Sequence, residues 1–97
     1  MSDSRERGRA VAEVLELLGR RWQLRIIWEL GSDTLSFREL QGRCDDISPS
    51  TLATRLAELR EAGIVGQEGG YRLTAAGSEL LDLYPPIADW AHRRLRV

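Results

Sequence analysis

Lysine is absent from this sequence, and all 14 basic side chains are arginine. That uniformity reads as the codon usage of a GC-rich genome rather than as selection for phosphate contacts. Against 15 acidic residues it leaves a net charge of −1, so the chain advertises no bulk electrostatic partner. Cysteine is nearly absent as well. Cys44 stands alone, which excludes an internal disulfide and makes a reducing cytoplasm the expected compartment. His92 is the single histidine, with no partner at ligand spacing, so neither a histidine metal site nor a Ser/His/Asp set is written in the pattern. No apolar run approaches the ~20 residues of a membrane span, and the opening "MSDSRERGRA" lacks the apolar core of a signal peptide. No glycine pattern cradles a phosphate, no internal repeat is present, and a metal, a cofactor and catalysis are not expected. The polar residues 1–8 read as a flexible segment ahead of one small domain, residues 9–97.

What is there is helical periodicity broken at well-marked points. Val11, Val14, Leu15 and Leu18 recur at helical spacing and Gly19 ends that segment. "RWQLRIIWEL" predicts a second helix with Trp22, Ile26, Ile27 and Leu30 on one side, stopped by Gly31. "SDTL" reads as a short extended piece. Ser36 followed by Glu39 is a capping box for a third helix over Phe37 and Leu40, ending near Cys44, with the Asp45-Asp46 pair as a turn. Ser48 and Pro49 then open a fourth helix, as a hydroxyl N-cap followed by proline in the first helical position. Leu52, Leu56 and Leu59 line its inner face, and Gly63 stops it. The runs "IVGQ" and "YRLT" around Glu68-Gly69-Gly70 predict a hairpin, with Tyr71 and Leu73 inward and Arg72 outward. Thr74 caps the last helix, which Pro85 and Pro86 must kink or break. The order is helix, helix, short strand, helix, helix, hairpin, helix. It defines a mainly α (α+β) winged helix-turn-helix with a short β-hairpin wing and a C-terminal helix.

In that arrangement the fourth helix is the candidate reader of DNA. With its leucines inward, a 100° step per residue points Ser50, Thr54 and Glu58 outward, with Thr51 beside them. Short hydroxyl side chains let a helix sit deep in a major groove and bond base edges or phosphates. The N–H groups near Ser48 suit a phosphate. Arg55, on the flank, can reach DNA or pair with a neighbouring carboxylate. Arg38, on the outer face of the third helix, is either a phosphate anchor or a solvated side chain. Arg72 is the only cation of the hairpin, which serves either as a DNA-contacting wing or as a small closure of the core. Cys44 reads as a small buried residue at a helix end, and Asp45 and Asp46 beside it disfavour a thiolate.

The sequence resembles the HxlR-type winged-helix transcriptional regulators of bacteria through "LLGRRW", "IIWEL", "SFREL", "ISPSTLATRLAELREAGIV", "YRLTAAG" and "IADW", in family order over nearly the whole chain. The resemblance implies a cytoplasmic homodimer joined through its first and last helices, reading a pseudo-palindromic operator in double-stranded DNA. Carried over position by position, it implies DNA contacts from Arg38, Ser48, Ser50, Thr51, Thr54, Arg55 and Arg72. It places Val11, Leu15, Ile87, Trp90 and Leu95 at the dimer interface. Ile87, Trp90 and Leu95 recur after Pro86 in a chain with little interior to hide them, although Trp90 can also pack on its own first helix. The sequence departs from the family in two places. Arginines around Arg9 stand where many relatives carry a sensing cysteine, and only "GQEGG" separates Val65 from Tyr71, which clips the wing. The expected function is sequence-specific DNA binding by a homodimer. The alternative is a winged-helix module that mediates protein interaction or dimerisation without DNA, favoured by the acidic turn before the fourth helix and by the clipped wing.

Overall fold

The computed structural model describes residues 2–95. The chain runs α1 (Ser2–Leu18), α2 (Gln23–Glu29), α3 (Phe37–Arg43), α4 (Pro49–Glu61), β1 (Val65–Gln67), β2 (Tyr71–Leu73), α5 (Ala75–Leu81) and α6 (Tyr84–Leu95). This is the winged helix-turn-helix that the order of elements predicts.

The local chemistry explains most boundaries. The Ser36 hydroxyl accepts from the Glu39 N–H at 3.1 Å while the Glu39 carboxylate accepts from the Ser36 N–H at 2.8 Å, completing the capping box of α3. Ser48 caps α4 by accepting from the Thr51 N–H at 3.3 Å. Gly63 supplies the left-handed residue just past the end of α4, with φ 77°. Thr74 caps α5 through the Gly77 N–H at 3.1 Å.

Three boundaries differ from expectation. α1 begins at Ser2, within the stretch expected to precede it. Asp3 complements the dipole in its first turn, and Asp3 and Arg7 stand at helical i,i+4 spacing. α2 begins only at Gln23, because Trp22 takes a left-handed conformation with φ 81°. That residue closes the tight turn after α1, and the Arg21 guanidinium lies 5.5 Å from the Trp22 ring centroid. The last helix is divided outright at Asp82 and Leu83, so that Pro85 and Pro86 fall in the first turn of α6, where their missing N–H groups leave no vacancy in the ladder.

The hairpin is antiparallel, pairing Val65 with Leu73 and Gln67 with Tyr71. Leu35, in the predicted extended piece, adds a bridge: its N–H donates to the Tyr71 carbonyl at 2.9 Å and its carbonyl accepts from the Tyr71 N–H at 2.7 Å. Gly70 permits this approach, since a Cβ there would meet the Thr34 methyl and the Leu35 carbonyl, and its φ of 127° suits no other residue. The core is formed by Ile26, Ile27 and Leu30 of α2, Leu40 of α3, Leu52, Leu56 and Leu59 of α4, and Ile64, Val65 and Leu73 around the hairpin. All the apolar residues assigned inward on α4 are there.

Candidate nucleic-acid interface

Two features fix α4 relative to α3. Asp45 and Asp46 both adopt left-handed φ, 55° and 57°, a conformation that Asp tolerates better than most residues. Arg25 of α2 holds this turn by donating to the Arg43 carbonyl at 2.6 Å and to the Asp45 carboxylate at 3.3 Å. It is steadied by Glu29 at 2.8 Å. The Gln41 amide donates to the Ile47 carbonyl at 2.9 Å from the other side.

The outer face of α4 carries Ser50, Ala53, Thr54 and Ala57, all exposed. Ser50 and Thr54 are where the sequence puts them. Ala53 and Ala57 extend the same strip and are missed when only polar residues are sought, although their spacing from Thr54 shows it. The result is a smooth, narrow surface able to approach base edges, with alanine methyls suited to a thymine methyl. Ser48 and Thr51 are engaged with each other: the Ser48 hydroxyl donates to the Thr51 hydroxyl at 2.8 Å, and Thr51 is half-buried. Their first role is to cap the helix.

The cations divide into two kinds. Arg38 on α3 is exposed and has no ion-pair or hydrogen-bond partner among the described residues. Arg60 in the last turn of α4 is exposed too. Arg55 instead donates to the Glu58 carboxylate at 2.6 Å, so pairing is its state in the free protein. Arg72 lies 3.5 Å from Glu68 across the hairpin and is half-buried rather than fully outward. Glu58 itself corrects the simple helical projection. It is half-buried, and besides Arg55 it accepts from Arg20 at 2.8 Å and from Gln23 at 3.0 Å, because the turn between α1 and α2 packs where solvent was expected. Gln23 is the second surprise, a wholly buried amide. Its position three, four and seven residues before Ile26, Ile27 and Leu30 is the sequence signal that places it on the inner face.

No group of His, Cys, Asp and Glu among the described residues could hold a metal ion. Cys44 is buried, and that burial pushes its thiol above the ordinary value, with Glu29 and Asp45 acting in the same sense and Arg25 opposing. No helix among the described residues is long and apolar enough to cross a membrane.

The second predicted surface lies on the terminal helices. Val11 and Leu15 of α1 and Ile87, Trp90 and Leu95 of α6 are all more than half exposed. α6 buries none of its residues in the monomer, and Trp90, at 52% exposure, is not enclosed by its own first helix. Leu24, Trp28, Leu83 and Tyr84 are exposed large apolar residues as well. The Trp28 and Tyr84 rings lie 5.2 Å apart. An apolar groove between α1, α2, α5 and α6 is lined by Val14, Leu15, Leu24, Leu80, Tyr84 and Ile87, among others.

A two-helix unit with a rigid turn, followed by a hairpin and carrying a small-residue outer face on its second helix, defines the class as winged helix-turn-helix. The HxlR-like helix-turn-helix family model matches residues 17–97. The chain belongs to that family and is a transcriptional regulator of the winged-helix type rather than an enzyme. Among solved structures it is similar to quinone-bound YodB from B. subtilis, with TM-score 0.82 and 32% identity, covering 87% of this chain and 97% of that one. It is also similar to the transcriptional repressor BigR from Xylella fastidiosa, with TM-score 0.78 and 30% identity, covering 89% of this chain and 90% of that one. A curated relative, an HTH-type transcriptional regulator of Methanocaldococcus jannaschii, is 27% identical over 82 residues, covering 79% of this chain and 77% of that protein.

Proposed function

We propose that the protein is a cytoplasmic, sequence-specific DNA-binding regulator acting as a homodimer on a pseudo-palindromic operator. The observation that carries this reading is the outer face of α4. A solvated helix face is ordinarily rich in long charged side chains, whereas Ser50, Ala53, Thr54 and Ala57 offer a short, nearly uncharged strip. α4 enters the major groove with Ser50 and Thr54 at base edges, while Ser48 and Thr51 hold its N-terminal N–H groups near a phosphate. Arg38 holds the backbone from α3, and Arg55 and Arg72 lie at the margins of the contact.

The dimer follows from the exposed apolar rows. Val11 and Leu15 of one protomer meet Ile87, Trp90 and Leu95 of its partner, covering surface that a monomer would leave in water. Two recognition helices then face half-sites about one helical turn apart or a multiple of it. Net charge does not oppose this, because phosphate affinity depends on where the arginines lie, but it implies modest non-specific binding.

One observation favours a second reading, a winged-helix module for protein interaction: two of the cations expected to touch DNA, Arg55 of α4 and Arg72 of the wing, are each paired with a carboxylate. Selection of bound sequences from a random DNA pool separates the two. The DNA reading expects recovery of related half-sites at helical-turn spacing. A recovered pool without any shared sequence gives first place to the interaction module.

A further inference from the structure

The contacts proposed above leave unexplained a polar cluster beside α4. Glu58 receives three side chains at once. Its Oε1 accepts from Arg55 at 2.6 Å and from Gln23 at 3.0 Å, and its Oε2 accepts from Arg20 at 2.8 Å. Arg20 also lies 3.6 Å from Glu16 of α1. Gln23 has no exposed surface, and an amide in the core of so small a protein costs stability when its nitrogen is hydrogen-bonded but its oxygen is not. Among the described residues its Oε1 has no partner, and neither has the buried Nε of Arg55. A leucine or methionine at position 23 would fill the core without this cost. What the amide supplies is a donor aimed at Glu58.

We infer that Glu58 is a positioning residue for Arg55, anchored on Gln23 and Arg20 so that the Arg55 guanidinium is held at the flank of α4 for a DNA phosphate. This rests on the DNA reading proposed above. An arginine free to sample its rotamers loses that freedom on gripping a phosphate, whereas one already tethered has lost it on folding. Among the described residues Arg55 is tethered through Nη1 alone, which leaves Nη2 for the ligand. Arg20 and Arg55 flank the Glu58 charge, so the carboxylate does not face the DNA unaccompanied. The cluster also joins the turn after α1 to the recognition helix.

The inference makes a prediction of sign. Removing a bystander carboxylate near DNA lessens repulsion and strengthens binding. Removing a carboxylate that positions an arginine weakens it. The test is affinity for a selected operator duplex of the wild type, Glu58→Gln, Arg55→Ala and the double variant, with the unfolding midpoint of each measured alongside. Glu58→Gln keeps the shape and loses the charge. It is expected to bind roughly tenfold more weakly, as is Arg55→Ala, the size of one lost arginine contact. The double variant is expected to be no weaker than Arg55→Ala alone, a coupling that a general loss of fold would not produce. Arg20→Met removes one exposed anchor and is expected to weaken binding by a smaller factor, again only while Arg55 is present; it serves if Glu58→Gln does not fold. Wild-type-like or tighter binding by Glu58→Gln, or effects that multiply in the double variant, overturns the inference and leaves the DNA reading standing. Failure of the wild type to bind any selected duplex overturns both.

Discussion

Replacing glycine by alanine inside a helix ordinarily stabilises it by up to ~1 kcal/mol. At Gly77 of α5 the structure requires the opposite. A Cβ built there meets the Ile64 carbonyl oxygen closer than real Cβ atoms come, and reaches the Ile64 Cγ2 methyl at 3.2 Å. The carbonyl cannot easily retreat, because it accepts from the Thr74 N–H at 3.0 Å and from the Thr74 hydroxyl at 3.2 Å. The same hydroxyl donates to the Gly63 carbonyl at 2.6 Å. This joint holds α5 against the end of the recognition helix and the start of the wing. Overpacking costs about 1–3 kcal/mol and one displaced hydrogen bond about 1 kcal/mol, against a helix gain of at most ~1 kcal/mol. Gly77→Ala is therefore expected to lose about 2 kcal/mol net, or roughly 10 °C in Tm for a domain of this size. Gly42 of α3 is the internal control, since among the described residues nothing beyond its chain neighbours and its own helix backbone lies within 4 Å of its Cβ position. Gly42→Ala is expected to gain roughly 0.5–1 kcal/mol. Urea denaturation of both variants at one protein concentration reads the two signs together, fixed concentration being required because dimerisation would shift apparent stability. Gly77→Ala as stable as the wild type would refute the reasoning.

Sedimentation at micromolar concentration is expected to give a dimer, and Ile87→Glu, which places a charge in the exposed row of α6, is expected to give a folded monomer; a wild-type monomer would remove the two-half-site arrangement. Cys44 is expected to react with iodoacetamide only after unfolding, because burial both shields the thiol and raises its pKa; rapid labelling of the native protein, or peroxide-reversible loss of DNA binding absent from Cys44→Ser, would contradict this. The Glu39 carboxyl is held below its ordinary value of 4.5 by the Ser36 N–H first and the Ser36 hydroxyl second. A depressed folded pKa stabilises the fold above the ordinary value and loses that effect as pH falls through the folded one. The stability difference between wild type and Glu39→Gln is therefore expected to be full near pH 7 and to shrink in acid, and a difference that grows in acid would reverse the assignment.

The recognition helix is legible in the sequence because its ends are local chemistry. Ser48 acts through a hydroxyl three residues from the N–H it caps, Pro49 and Gly63 act through their own backbone, and three leucines at helical spacing have only one side to bury. The same holds for the Ser36/Glu39 box and the glycine hairpin. Glu58 is not legible, for a physical reason. Its angle on α4 is outward, but the ground there is occupied by a turn whose path depends on Trp22 in a left-handed conformation that its residue type disfavours. Arg55 is ambiguous for the same cause, since the carboxylate that engages it is itself held from two other elements. Gln23 hides because an amide reads as solvent-facing, although its helical phase is that of the core isoleucines. α1 extends further than its apolar pattern, since charged residues such as Asp3 and Arg7 sustain a helix that has no inner face to show.

The proposed arrangement, in which α4 reads bases while α3 holds the backbone, sets separable demands on the two helices. It is tested most directly by titrating Thr54→Ala beside Arg38→Ala on a selected operator and on scrambled DNA at several salt concentrations. Thr54→Ala is expected to cost on the order of 1–3 kcal/mol per half-site on the operator, to blur preference at particular positions, and to leave scrambled DNA unaffected. Arg38→Ala is expected to weaken both DNAs alike and to lower the salt slope by about one per lost contact. Equal, small effects of both substitutions on both DNAs would contradict the account and show that this helix is not the reader.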